Sequence, residues 1–288
     1  MPRWPWWHQG SGPNDYRVRE LLRAIWDLHA MYGVDVPWLW RGQANADFNL
    51  EPGMHTRVRE HADLNDPNIE YFTSGLLSAA RSAELDRHEE MRLPDLALLA
   101  LLQHHRAATP LMDVTLDPMV GLYMSVVSPN PNDDDKDGVL FAIRRPTVEI
   151  DDFDSRSFAD VYASLDGGVA MYSAPDVSER LRIQRGHFLL GPVSEGDERV
   201  TIPLSLDPAT SHKDAWIWKR MDKRGASGPV PAATSDVAVF RIASQFKSRL
   251  RDWLEARSGL KADFIYPTPW HQPHLERFAA SHGRLSSL

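Results

Sequence analysis

Apolar positions recur at helical spacing from residue 14 onward. In "NDYRVRELLRAIWDLHAMYG" they fall at Val18, Leu21, Leu22, Ile25, Trp26, Leu28 and Met31, with Asn14 placed to cap the start and Gly33 the end. Trp38, Leu39 and Trp40 then read as an apolar strand, followed by an irregular stretch through Leu50 and Pro52. "NDPNIEYFTSGLLSAARSAELDRHEEM" predicts a second helix. Pro94 opens a third, "DLALLALLQHHRA", apolar nearly all round and therefore expected in the interior. "TPLMDVTLDP" interrupts the helical pattern, and "MVGLYMSVVS" resumes it as a short buried helix.

The second half changes period. "PNPNDDDKDG" has loop chemistry and leads into the strand "VLFAIRR". Further strands are expected at "ERLRIQRGHFLL", "ERVTIPLSL", "AWIWKR", "VAVFRI" and "ADFIYP". Two helices interleave with them: "SQFKSRLRDWLEARSGL", from Ser244 to Gly259, and the closing "HQPHLERFAASHG". Helices dominate the first half and strands the second, so the expected class is α+β, a helix-rich N-terminal half packed on a mixed or antiparallel sheet from the C-terminal half. "KRGASGPVPAATSD" is the best flexible loop, flanked by strands. The expected organisation is a Trp- and Pro-rich tail over residues 1–13 and one domain over 14–283.

Composition narrows the chemistry. The chain has 288 residues, 42% of them apolar, with no cysteine, which excludes disulfides, thiolate metal sites and a cysteine nucleophile. That fits a reducing, cytoplasmic setting. "MPRWPWWHQGSGPND" lacks the apolar core of a signal peptide, and no run approaches the roughly 18 apolar residues of a membrane span. A net charge of −8 disfavours broad binding to a nucleic-acid backbone. The charged runs "HTRVREH" and "FKSRLRDWLEAR" read as solvated helix faces. Trp4, Trp6 and Trp7 lie in a Pro-rich tail that cannot bury them alone, which points to docking on this chain or on a protein partner.

Candidate chemistry begins where the first strand runs into Arg41-Gly42-Gln43. Arginine offers a rigid, always-charged fork suited to phosphate, and a glycine beside it lets a ligand approach the backbone. The competing reading is a buried arginine paired with an acid such as Asp113. Asp113 and Thr115 share a face if that segment is extended. There they orient a sugar hydroxyl, support Arg41, or cap the helix starting near Asp117. His104 and His105 are adjacent and diverge by about 100° on a helix, so they do not make a metal pair; a ligand contact, a base or a satisfied structural histidine remain. "HQPHLE" near the C-terminus is broken by Pro273 and reads as surface capping, and no metal site is expected. Gln184 and Phe188 fall on one face of a predicted strand, with Gly186 between them. They form a slot for a flat ring, or core packing beside a glycine bulge.

Four segments in order resemble the FRG domain family, which is named for its aromatic-Arg-Gly motif. They are "WLWRGQANADFNLEPGMHTR", "LLQHHRAATPLMDVTLDPMVGLYMSV", "RIQRGHFLLGP" and "FRIASQFKSRLRDWLEARSGLKADFIYPT". Gln103, His104, Thr109, Asp113 and Thr115 match the second motif. The chain departs from it with Arg106 for glycine, Ala108 for proline, Pro110 for arginine and Val114 for tryptophan, and Met124 stands where an aromatic is usual. The order of motifs is also similar to that of ADP-ribosyltransferases of the Arg-Ser-Glu type. That resemblance implies an ADP-ribosyltransferase-like fold and an NAD pocket: Arg41 on a phosphate, the Thr109–Thr115 element at the nicotinamide, and Gln184 in the place of the catalytic glutamate. Gly42, Gln43, His104, His105 and Phe188 would line it. A toxin or antiphage effector that transfers ADP-ribose or cleaves NAD is implied by family analogy, and a non-catalytic nucleotide sensor or docking module is the rival. An amide at 184 weakens transferase chemistry unless another acid, such as Glu179, reaches in.

Overall fold

A computed structural model describes residues 21–23, 25–26, 28–29, 38–88, 91–128, 130–175, 183–195, 199–205, 236–265 and 273–282. Trp4, Trp6, Trp7, Glu179 and the segment expected as the strand "AWIWKR" lie outside them. In chain order the elements begin with β1 (Trp38–Gln43), α1 (Gly53–Arg59), α2 (Asp66–Ser82), β2 (Arg87–His88), β3 (Met91–Arg92), α3 (Asp95–His104), β4 (Met112–Thr115) and α4 (Pro118–Val126). They continue with β5 (Gly138–Arg144), β6 (Val148–Ile150), α5 (Phe158–Ala163), β7 (Ala170–Tyr172), β8 (Gly186–Leu190), β9 (Val237–Ile242), α6 (Ser244–Ser258), α7 (Ala262–Ile265) and α8 (Pro273–His282). The class is α+β.

These elements form two compact units, each gathered from three stretches of chain. The first draws on residues 1–48, 115–145 and 204–261. Its centre is an antiparallel run in which β5 lies between β1 and β9, with Trp40↔Ala142 and Ala142↔Ala238 in register. Thr115, the last residue of β4, pairs with Trp40 on the other side of β1. Helix α4 packs on this sheet, and its start is set by Asp117, whose carboxylate accepts from Met119 N at 2.8 Å, with proline at the first helical position. Helix α6 ends where Gly259 takes the left-handed conformation, φ 69°.

The second unit draws on residues 49–114, 146–203 and 262–288. Its strand order is β6-β7-β8-β4, with β6 parallel to β7 and β7 antiparallel to β8. The core gathers α3 with Ile69, Leu76 and Leu77 of α2, Phe158 and Tyr162 of α5, and Tyr172 and Phe188 of the strands. Asn65 caps α2 through Asn68 N at 2.9 Å. Asp95 begins α3, pairs with Arg81 and accepts from Phe158 N at 2.8 Å, tying α2, α3 and α5 together.

Several expectations are corrected. The sheet strands do not all come from the second half, because β1 and β4 are early pieces whose edges later strands complete. "ADFIYP" opens a short helix, α7, instead of a strand. "ERVTIPLSL" contributes only an isolated bridge, Leu50↔Val200, among the described residues. The two charged runs are not simply solvated. Met54, His55 and Val58 of α1 are buried, and so is Lys247 of α6. Both helices hide a stripe behind charges, which alternation of charge alone does not reveal.

Candidate functional site

In the first unit, alternation along β1 sends Trp38, Trp40 and Gly42 to one sheet face and Leu39, Arg41 and Gln43 to the other. The Gly42 face meets α4. A Cβ on Gly42 would stand 1.9 Å from the Gly121 carbonyl oxygen and 2.6 Å from Ser125 N; one on Gly138 would stand 2.0 Å from the Ser125 carbonyl. The glycine of Arg-Gly-Gln therefore admits a helix backbone, where the sequence pointed to an approaching ligand. Trp40 fills the same face and stacks on Phe240 at 6.3 Å between centroids.

Arg41 lies on the opposite face, half-buried, in register with Phe141, which is itself opposite Val239. Gln43 and Arg241 flank Val139 on that face. Arg241 pairs with Asp137 at 2.7 Å, and Asp137 also accepts from Ser244 N at 2.7 Å. Thr115 pairs with Trp40 and so shares the α4 face, away from Arg41. Its hydroxyl accepts from Asp117 N at 3.0 Å, which shapes the entry to α4. Arg41 and Thr115 are thus not brought to one face.

In the second unit, Gln103 at the end of α3 joins the motif residues. Its amide donates to Asp113 and its carbonyl accepts from the Thr109 hydroxyl. Thr109 also accepts from Leu111 N at 3.3 Å, and its carbonyl accepts from Met54 N at 3.0 Å. Arg106, in the glycine position of the motif, takes φ 71° as the helix ends. Asp113 is exposed and alternates with buried Met112 and Val114. His105 is buried and His104 half-buried, their rings edge-on at 5.4 Å.

Gln184 does not lie on a strand. It sits in a helical turn, Arg185 follows at φ 47°, and β8 starts only at Gly186. The Gln184 amide is buried and donates to the Ile265 carbonyl at 2.7 Å. Phe188 is a core residue stacked on Tyr172 at 6.3 Å. The flat slot expected from these two side chains is absent, because the turn at Arg185 breaks the alternation on which it depended.

Three polar groups escaped sequence reasoning. His55 is fully buried, its Nδ1 sharing a hydrogen bond with the Thr201 hydroxyl at 2.7 Å. Burial, assisted by the Arg59 charge, lowers its pKa from 6.5 to about 3, so the imidazole is neutral. Asp66 accepts from Tyr162 Oη at 2.7 Å and from Val193 N at 2.6 Å. Burial, then this carboxylate, pushes the Tyr162 phenol above its ordinary range. Lys247 is buried with its ammonium on three backbone carbonyls, and burial lowers its pKa. The signal for Lys247 was its place three residues before Leu250 and seven before Leu254, on the buried stripe of α6.

Residues 36–134 match the FRG domain. The chain carries an FRG domain. The matched FRG segment contains Arg41-Gly42-Gln43 and the whole Gln103-to-Thr115 element; Gln184 and the segment from Phe240 onward lie beyond it. No curated protein and no solved structure matches the chain.

Proposed function

We propose that this FRG-domain chain binds a nucleotide of the NAD type, with Arg41 holding phosphate, and does so without transferring ADP-ribose. The observation that carries this reading is Gln184. Stabilising a ribosyl cation calls for a carboxylate aimed at the sugar, whereas this side chain is a neutral amide already donating to Ile265 within the protein. Phosphate binding is supported by a permanent cation, half-buried on the sheet face that also carries Leu39, Phe141 and Val239, with Gln43 and Arg241 beside it.

Calorimetric titration with NAD, ADP-ribose and adenosine, combined with a nicotinamide-release assay, tests the proposal. NAD and ADP-ribose are expected to bind saturably, Arg41→Gln to weaken both by about tenfold or more, and adenosine to be indifferent to the change. Nicotinamide release that depends on Arg41 would replace the sensor with the NAD-consuming enzyme implied by the motif order. Binding unaffected by Arg41→Gln would return Arg41 to a strand-end ion pair.

A further inference from the structure

The acidic run between α4 and β5 reads in sequence as a plain solvent loop, yet each of three of its aspartates has a defined partner. Asp137 holds Arg241 and the first amide of α6, and Asp134 meets Arg251 at 3.2 Å. Asp133 is buried and accepts from Asn45 Nδ2 at 3.1 Å and from the Ser128 hydroxyl at 2.8 Å. The segment that follows Gln43 is joined to this loop as well, since Ala46 N donates to the Asp137 carbonyl at 2.7 Å.

Lys247 sits where the two segments meet. Its Nζ donates to the carbonyls of Ala44 at 2.9 Å, Asp133 at 2.5 Å and Lys136 at 3.2 Å, and the residue is 1% exposed. An ammonium carries three protons, and here three carbonyl oxygens receive them. A buried lysine is costly unless so satisfied, and the three carbonyls would each lose a partner without it. Ala44 is three residues beyond Arg41 on an extended chain whose other end is held in β1, so clamping Ala44 fixes the exit of the strand.

We propose that Lys247 is a positioning residue. Its buried ammonium pins the exit of β1 to the acidic loop and thereby holds the Arg41-Gly42-Gln43 corner in its phosphate-binding geometry. The consequence for ligand rests on the reading of Arg41 given above; the clamp itself does not.

The test has one arm free of ligand and one with it. In the wild-type chain an amine-reactive ester, mapped by mass spectrometry, is expected to modify the exposed Lys136 and Lys261 and to spare Lys247; modification of all three at similar rates would overturn the clamp. In Lys247→Met, amide hydrogen exchange is expected to rise by about tenfold or more over 41–47 and 131–137 together, with α2 unaltered. Arg251→Met, which removes a half-exposed surface pair one helical turn away, is expected to leave both segments unchanged. Exchange rising uniformly along the chain, or not at all, would refute the local role. With NAD, Lys247→Met is expected to weaken binding about tenfold, and Arg41→Gln/Lys247→Met to bind no more weakly than Arg41→Gln alone, because Lys247 acts through Arg41. Additive losses would sink the positioning role. Absence of NAD binding in the wild type would remove the function proposed for Arg41 while labelling and exchange still decide the clamp.

Discussion

At the scale of single residues, two side chains carry their environment as a measurable free energy. Arg106 occupies the left-handed region at φ 71°. That conformation costs a residue with a Cβ about 1–2 kcal/mol, and glycine avoids it while losing roughly 0.4–1 kcal/mol through a freer unfolded chain. Arg106→Gly is therefore expected to raise stability by about 0.5–1 kcal/mol, read as a higher urea midpoint. The physical sense of the motif's glycine is the turn that ends α3, which Arg106 makes under strain. His55 gives a proton-linked effect with a definite sign. Its folded pKa of about 3 lies below the unfolded value of 6.5, so on acidification the unfolded chain takes up a proton that the folded chain refuses. Stability from this group is complete above pH 6.5 and is lost as pH falls toward 3. The slope approaches roughly 1.4 kcal/mol per pH unit. Urea unfolding of wild type against His55→Asn between pH 7 and pH 4 checks it: the difference should grow on acidification in the direction of wild-type loss, and parallel curves would contradict it.

At the scale of elements, the contact of α4 with β1 is set by glycine on both sides. A Cβ on Gly42 would meet backbone, not a movable side chain, and a Cβ on Gly121 would meet the Trp40 Cβ and a Leu140 methyl at 3.0 Å. Gly42→Ala is expected to cost about 3 kcal/mol or more, since a helix backbone cannot yield by changing rotamer. Chemical denaturation measures this directly, and a cost below about 1 kcal/mol would mean that α4 stands further from the strand. Arg41, one residue earlier, faces the other way, so Arg41→Gln should leave the α4 packing intact. The Arg-Gly dipeptide is legible in sequence, but which of its two residues meets the helix is not. That depends on which sheet face receives the helix.

At the scale of the whole molecule, both units are assembled from separated stretches of chain, and the FRG segment contributes to each. Every residue of β1 pairs with β5, and β5 begins at Gly138, beyond the end of the match at residue 134. The second core likewise depends on Phe158, Tyr172 and Phe188. An isolated fragment 36–134 is therefore expected to lack cooperative unfolding and dispersed amide resonances, while the full chain shows both. A fragment with a sharp thermal transition would show that the segment supports a core of its own.

Local chemistry determined the helices with strong caps and periodicity. Asn65 and Pro67 start α2, Pro94 precedes α3, Asp117 and Pro118 start α4, and Gly259 ends α6, all readable because each signal acts on its own few residues of backbone. The strand β5 was legible for the same reason, whereas Gln103 and Thr109 stood out through their resemblance to the FRG motif, and Asp113 through that and its alternation with Thr115; the three come from a helix, a loop and a strand. Tertiary structure alone decided that Gly42 faces a helix, that Thr115 and Arg41 take opposite faces, that Gln184 leaves its strand for a turn, and that Lys247 and His55 are buried. Those outcomes depend on which distant segment supplies the opposing surface, and burial of a polar group becomes affordable only when that segment brings the carbonyls or hydroxyl that satisfy it.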